Sequence, residues 1–198
     1  MLVRYRMSKK VKVVQPQHTL AETRALLDRH RIRQLPVMRS KALVGIVTDR
    51  DLRSAPKAAR TVQDVMTAKL FTASPDMPVD EAARILRQHK VNSLPVVEKN
   101  NLVGILTTSD VLDAFVDLSG VAEPTFLLML EAGKRSDREI RQVIERTPAE
   151  VKWIGRDRQK PGRAHVRLKA RRIDDIVDAL EGAGFEVCTM VVPPRRGL

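Results

Sequence analysis

Apolar residues along this chain recur in two textures that predict different elements. Short β-branched runs, Gly45-Ile46-Val47 and Gly104-Ile105-Leu106, read as buried strands. Each follows a Leu-Pro-Val segment (35–37 or 94–96) across a turn at Arg39–Ala42 or Glu98–Asn101, with Asn100 and Asn101 tolerant of positive φ. Each pair of runs therefore predicts an antiparallel hairpin. Helical spacing appears upstream of each hairpin. Leu20, Thr23, Leu26 and Leu27 share one face behind a Thr19-x-x-Glu22 capping box, and Ala82, Ile85 and Leu86 follow Pro78, which is expected in the first helical turn. Val11–Val14 and Leu70–Ala73 read as extended segments leading to Pro16 and Pro75, residues 54–61 as a linker, and Asp110–Leu118 as a closing helix.

The pattern changes at Ser119–Pro124, where a second unit is expected to begin. Phe126–Leu130 predicts a strand, and a Ser136-x-x-Glu139 capping box opens a helix with Ile140, Val143 and Ile144 inward. Glu150–Arg158 reads as extended, Gln159–Gly162 as a turn, and Arg163–Ala170 as a strand with Ala164, Val166, Leu168 and Ala170 on one face. A helix over 173–182 turns Ile173, Ile176, Val177 and Leu180 inward, Gly182 and Gly184 end it, and Phe185–Val192 is the last strand. The order β-α-β-β-α-β is ferredoxin-like. Trp153, near Val151, is expected in the core, Cys188 is expected to pack inertly, and 193–198 is expected to be a frayed tail. The first strand is apolar on both faces, because Leu127 and Met129 alternate with Phe126, Leu128 and Leu130. Its second face should be covered, either by the first half of the chain or by a second copy.

A shift of 59 positions lays residues 7–51 on 66–110 without a gap, and 15 of the 45 pairs are identical. Two copies are too few for a solenoid and predict a pseudo-twofold pair. The opening MLVRYRMSKK aligns with Val62–Lys69, so it belongs to the first copy and does not read as a targeting peptide.

Thr48 and Thr107 stand where an N-cap would start a helix, three residues before Asp51 and Asp110. The N–H groups and dipole at such a terminus favour an anion such as phosphate, while a carboxylate beside it accepts hydrogen bonds from ribose hydroxyls. Together these groups describe a nucleotide. The same Thr-x-x-Asp is also a capping arrangement, and its recurrence in register behind Leu-Val-Gly-Ile is what favours the binding reading.

Gly, two apolar residues, Thr, two residues and Asp, occurring twice after Leu-Pro-Val and a hairpin turn, resembles a tandem pair of cystathionine β-synthase (CBS) domains, a Bateman module. The resemblance covers residues 1 to about 118, with copies at 1–60 and 61–118. It implies binding of AMP, ADP, ATP, S-adenosylmethionine or dinucleotides in two clefts between the copies, with Mg²⁺ accompanying only a polyphosphate. By the resemblance, Asp51 and Asp110 would hold ribose, and Thr48 and Thr107 would hold phosphate. Arg33, Gln34, Leu35 and Pro36 with Val13 and Val14, and Asn92, Ser93, Leu94 and Pro95 with Thr72 and Ala73, would line adenine pockets. Residues 125–192, after a linker at 119–124, resemble an ACT domain by order and position, with Gly133 after the first strand. That layout is similar to bacterial CBS–ACT proteins of acetoin utilisation. It implies an α/β (α+β) chain in which the ACT-like half dimerises or takes a second ligand.

Charge sharpens this picture. The net charge is +12, and residues 1–60 hold 15 Lys/Arg against 4 Asp/Glu, while 61–120 hold 5 against 8. Arg33 and Arg50 occupy the positions of Asn92 and Ser109 in the other copy, so the clefts should differ, the first preferring more phosphate. A basic surface is also compatible with plain solvation or with nucleic acid, but aromatics are 3% of the chain and no stacking platform for single strands is evident. A nucleic-acid-associated regulator is the alternative function.

Other function classes lose support. The lone Cys188 makes no disulfide framework and suggests a reducing cytoplasm, and no apolar run approaches the ~20 residues of a membrane span. His30 and His89 sit near predicted helix ends, where the dipole favours them, and no Cys or second His lies at metal-ligand spacing, with His18 and His165 equally isolated. No phosphate-binding loop of the Walker type, zinc-protease motif, nucleophile elbow or triad is present. The expectation is a non-catalytic sensor, a homodimer that passes its signal to an unidentified effector protein.

Overall fold

The computed structural model describes residues 1–192; the predicted tail at 193–198 lies outside them. The chain forms two compact units, Met1–Ala114 and a second from Phe115 onward.

In the first unit each copy is a helix, a hairpin and a helix. The first comprises α1 (Leu20–His30), β1 (Gln34–Arg39), β2 (Ala42–Thr48) and α2 (Asp49–Arg53); the second comprises α3 (Val79–His89), β3 (Ser93–Glu98), β4 (Asn101–Thr107) and α4 (Thr108–Ser119). The Thr19–Glu22 capping box opens α1, whereas Pro78 is the N-cap of α3 and not a residue of its first turn. Both helices end on a left-handed residue, Arg31 or Lys90. The hairpins share one register, Gln34↔Thr48 and Ser93↔Thr107, with a bulge after Val37 and after Val96. Positive φ falls on Lys99 and Asn100 in the second turn and on Ser40 in the first, one residue earlier than the sequence suggests, because Asn101 already pairs with Glu98. The extended segments each add a single parallel bridge beside a two-stranded hairpin, Val14 to Val37 and Ala73 to Val96.

The copies exchange their leading arms. Residues 1–8 belong to the first copy in sequence, yet Val3 is buried in the core of the second with Val79, Leu94 and Leu106, and Ser8 bridges Ile105. Val62 correspondingly joins Val14, Leu35 and Val47, and Thr67 bridges Ile46. The motif glycines make this approach feasible. A Cβ on Gly45 would sit 2.7 Å from Met66 Sδ and 3.3 Å from the Thr67 carbonyl oxygen, and one on Gly104 would sit 2.5 Å from Met7 Sδ and 3.2 Å from that of Ser8.

The second unit comprises β5 (Phe126–Glu131), α5 (Asp137–Ile144), β6 (Glu150–Arg156), β7 (Arg163–Lys169), α6 (Asp174–Gly182) and β8 (Glu186–Val191). Its sheet has the order β6-β7-β5-β8 with every pair antiparallel, the ferredoxin-like arrangement. Leu128, Leu130, Val166 and Leu168 meet Ile140, Ile144, Ile176 and Leu180 in its core. Leu127 and Met129 lie half-buried on the opposite face.

Two expectations fail here, each at a bulge that inverts strand parity. Val151 pairs with Leu168 but Trp153 with Arg167, so the residue between them is extra and Trp153 turns away from the core. Its indole lies across Gly155, where a Cβ would come within 2.2 Å, and meets Phe115 edge-on at 6.3 Å. A second irregularity, between Met129 and Leu130 against β8, disturbs the register at Cys188, which is an exposed free thiol and not packed.

Candidate functional site

Each Thr-x-x-Asp motif sits at the junction of a buried strand and a helix, and both close the same hydrogen-bonded box. The Thr48 N–H donates to Asp51 Oδ2 at 2.8 Å, the Thr48 hydroxyl donates to the same oxygen at 2.7 Å, and the Asp51 N–H donates to Thr48 Oγ1 at 3.3 Å. In the second copy the corresponding distances are 2.7, 2.7 and 3.3 Å for Thr107 and Asp110. The capping arrangement is therefore real, and its bonds fall on Oδ2, leaving Oδ1 of each half-buried carboxylate as an acceptor outside the box.

Thr48 and Thr107, expected from the resemblance to hold phosphate, each donate the hydroxyl proton to the carboxylate. The helix ends are also less open than the sequence implies, because the Asp49 N–H donates to the Arg33 carbonyl and the Thr108 N–H to that of Asn92. Since α2 is only five residues long, its dipole is a minor source of positive potential. Side chains supply that potential instead.

A cleft of about 730 Å³ opens within the first unit and takes residues from both copies. Of the residues singled out in the sequence, it brings together Arg33, Gln34, Thr48, Arg50, Asp51, Asn92, Ser93, Pro95, Thr107 and Ser109. It does not bring in Asp110. Val14, Leu35, Ala73 and Leu94 are core residues with at most 3% exposure, Pro36 is buried with them, and none of the five is among the residues lining this cleft. The strand parity responsible turns alternate residues inward. Val13 and Thr72 are exposed but lie off the cleft.

Sequence reasoning missed part of the lining. Arg31, Arg53, Lys69 and Lys90 join Arg33 and Arg50, so six cations line the cleft against the acids Asp49 and Asp51. Arg53 is paired with Asp49 at 3.2 Å. Leu70 and Phe71 provide apolar wall with Ile32, Ile46 and Val91. The exchanged arm brings Thr67 here beside Ile46, which a linear alignment does not signal, and Leu70 and Phe71 follow in the second copy's own extended segment, where Phe71 packs on the second core. His30 and His89 end their helices as expected, and His89 also stacks on Phe71, with ring centroids 3.7 Å apart and planes 14° apart. Among the described residues no group of three or more His, Cys, Asp or Glu is placed to hold a metal ion, and no helix is long and apolar enough to cross a membrane.

Known proteins match this half of the chain. The CBS domain family model matches twice, at residues 3–58 and 62–117. The CBS domain-containing protein YhcV of Bacillus subtilis is 33% identical over 109 residues, 52% of this chain and 78% of that protein. Inosine-5'-monophosphate dehydrogenases also match, as in Korarchaeum cryptofilum at 39% over 99 residues, but the chain spans only about a fifth (21%) of that enzyme.

Among solved structures, the CBS domain pair of protein MJ0100, in complex with 5'-methylthioadenosine and S-adenosyl-L-methionine, superimposes with a TM-score of 0.57 at 30% identity, covering 59% of this chain and 97% of that one. CBSX2 in complex with AMP gives 0.55 at 29% identity, over 59% and 96%. A Vibrio cholerae chain assigned to acetoin utilization, AcuB, gives 0.56 at 30%, over 62% and 96%. With two copies of the domain matched across more than half its length, the chain belongs to the CBS domain family.

Proposed function

We propose that this protein is a non-catalytic sensor whose cleft binds an adenine nucleotide, AMP, ADP or ATP, or S-adenosylmethionine. The observation that carries the reading is the pairing, in one cleft, of a half-buried carboxylate, one oxygen of which lies outside the capping box, with six basic side chains. Asp51 Oδ1 accepts from the ribose hydroxyls, and Arg33, Arg50 and their neighbours take the phosphates. Thr48 acts through the capping box, holding the carboxylate in place. The adenosine ligands of the MJ0100 pair and of CBSX2 support the choice of ligand.

Cations gathered in a concave site favour a small polyanion over a flat duplex backbone, which ranks the nucleotide above nucleic acid. They also give the ligand its leverage. The six cations outnumber Asp49 and Asp51, so the cleft keeps an excess of positive charge from both copies, and a phosphate chain favours whichever arrangement brings those charges closer. The equilibrium shifts by the difference in affinity between the two arrangements. Mg²⁺ would accompany only a polyphosphate. The ferredoxin-like unit takes the ACT-like part in this reading, as the surface for homodimer formation or for a second ligand, with Leu127, Met129 and Val191 on the face opposite its core. A cytoplasmic setting and a separate effector protein complete the proposal.

Calorimetry with AMP, ADP, ATP and S-adenosylmethionine tests it. Saturable binding of at least one, strengthened by added phosphates, is expected. Absence of heat for all four at millimolar ligand would refute the sensor.

A further inference from the structure

We infer that a groove between α3 and α4 is a second ligand site, and that it takes a small amphipathic carboxylate, a straight-chain acyl anion about as long as the groove. The site stands apart from the nucleotide reading, and only its coupling to the cleft rests on that reading. The groove has a volume of about 370 Å³, within the range of small-molecule pockets. Its lining changes in character along its length. Ala83 and Leu86 of α3 and Val111 of α4 make one end apolar. At the other end stand Lys90, Asn92 and Thr108, where the Thr108 N–H donates to the Asn92 carbonyl at 3.0 Å, and these three also line the nucleotide cleft. The distance from Ala83 to Lys90 is ~10 Å by the rise of the helix. Arg87 joins Lys90 as a second cation, and among the described residues lining the groove none is acidic.

A hydrocarbon chain laid against Ala83, Leu86 and Val111 leaves water, and a carboxylate at its other end meets Arg87 and Lys90 in charge-assisted hydrogen bonds. The first copy closes the same place. Its counterpart of Ala83 is Arg24, whose Nη2 donates to the Leu52 carbonyl at 3.1 Å and so ties α1 to α2 across the corresponding space. Asp28 stands where the second copy has Arg87, which reverses the charge as well. The repeat therefore offers an acyl anion its second copy and not its first. Lys90 belongs to both sites. A carboxylate that engages it withdraws a cation from the cleft, so bound acyl anion and bound nucleotide weaken each other by the same factor.

The test is calorimetric titration of octanoate, and of its neutral counterpart octanamide, into the wild-type chain, Ala83→Phe and Arg87→Gln. Thermal melts establish that each variant folds. The expected result is one octanoate per chain, with octanamide bound about tenfold or more weaker for want of the charged hydrogen bonds. Arg87→Gln narrows that gap by weakening octanoate alone, and Ala83→Phe, which fills the groove without adding charge, abolishes binding of both. Saturating AMP lowers octanoate affinity a few-fold, and octanoate lowers AMP affinity equally. No saturable octanoate binding to wild type, or binding unaltered in Ala83→Phe, overturns the site. Octanamide bound as tightly as octanoate overturns the acyl anion as its ligand. A wild-type chain that sediments as a dimer and binds no octanoate, but becomes a monomer in Ala83→Phe, gives the groove to a second copy and overturns the site too. Octanoate bound as expected by a chain that binds no adenine nucleotide upholds the site while the nucleotide reading falls.

Discussion

The two copies of the CBS domain differ least where they are most alike in sequence and most in what surrounds that stretch. Their capping boxes agree to within 0.1 Å at every hydrogen bond, and their hairpins share a register and a bulge position. Around the boxes, Arg33, Arg50 and Arg53 of the first copy face Asn92, Ser109 and Leu112 at the equivalent positions. Asp51 lines the cleft, whereas Asp110 does not. The difference teaches that one capping box can stand in two settings, among basic neighbours and beside the cleft in the first copy, among neutral ones in the second.

The largest expected effects test the sameness. Gly45→Ala and Gly104→Ala each force a Cβ against a methionine sulfur, which can move, and a backbone carbonyl, which cannot. Overpacking of this kind costs about 1–3 kcal/mol, and chemical denaturation should show similar losses for both variants. A loss in one copy alone would break the equivalence of the exchanged arms. The exchange has a further signature in hydrogen exchange: Val3→Ala should loosen β3 and β4, where its side chain is buried, and leave β1 and β2 protected.

Next in size is the chemical difference. Arg33→Asn combined with Arg50→Ser gives the first copy the residues of the second, and it should weaken ATP by about tenfold, or ~1.4 kcal/mol, and AMP by less, since charged hydrogen bonds to the added phosphates are lost. Calorimetry at two salt concentrations reads this directly. Equal weakening of AMP and ATP would remove the arginines from phosphate recognition.

Smaller still is the cap itself. Thr48→Ala and Thr107→Ala should each cost about 1 kcal/mol of stability, matched between the copies in thermal melts. An effect confined to one copy would mean that the boxes are not equivalent supports.

Acid should separate the copies most gently. Glu22 lies below the usual glutamate range, chiefly because the Thr19 N–H donates to it and then because the Thr19 hydroxyl does, and Asp64 is lowered chiefly by the Thr61 N–H, then by that of Arg60. Folding favours the charged form of such groups, so their contribution is present above the unfolded-state value and lost as pH falls through the lower folded value. Glu22 caps α1 and the arm carrying Asp64 packs on the first core, whereas α3 begins at Pro78 with no side-chain cap. Below roughly pH 4, exchange should therefore rise in α1 before α3, and Glu22→Gln should flatten that dependence.

What the sequence shows of this molecule is what neighbouring residues decide. The repeat, the hairpins, the boxes at Thr19, Thr48, Thr107 and Ser136 and the βαββαβ order all follow from spacing within a few residues, and the structure contains them. The exchange of residues 1–8 and 60–67 is not local, because an arm placed on its own copy or on the other gives the same alignment. That non-local step is what brings Thr67 beside Ile46 in the cleft lining. Trp153 and Cys188 were misplaced for a different reason: one extra residue in a strand reverses every later side chain, and no residue type in β6 or β8 marks the bulge. Of the residues expected to line adenine, Val14, Leu35, Ala73 and Leu94 turn their side chains into the two cores, an orientation that the motif alone does not display.

The most direct test of the account is a single calorimetric series in which AMP is titrated into the wild-type chain, Asp51→Asn and Asp110→Asn. Both substitutions keep the shape of the capping residue, so fold and melting temperature should change alike. The account predicts one AMP per chain in wild type, roughly a hundredfold loss in Asp51→Asn from two weakened ribose hydrogen bonds to a charged acceptor, and near-wild-type affinity in Asp110→Asn. Equal losses in the two variants, or full affinity in Asp51→Asn, would contradict it.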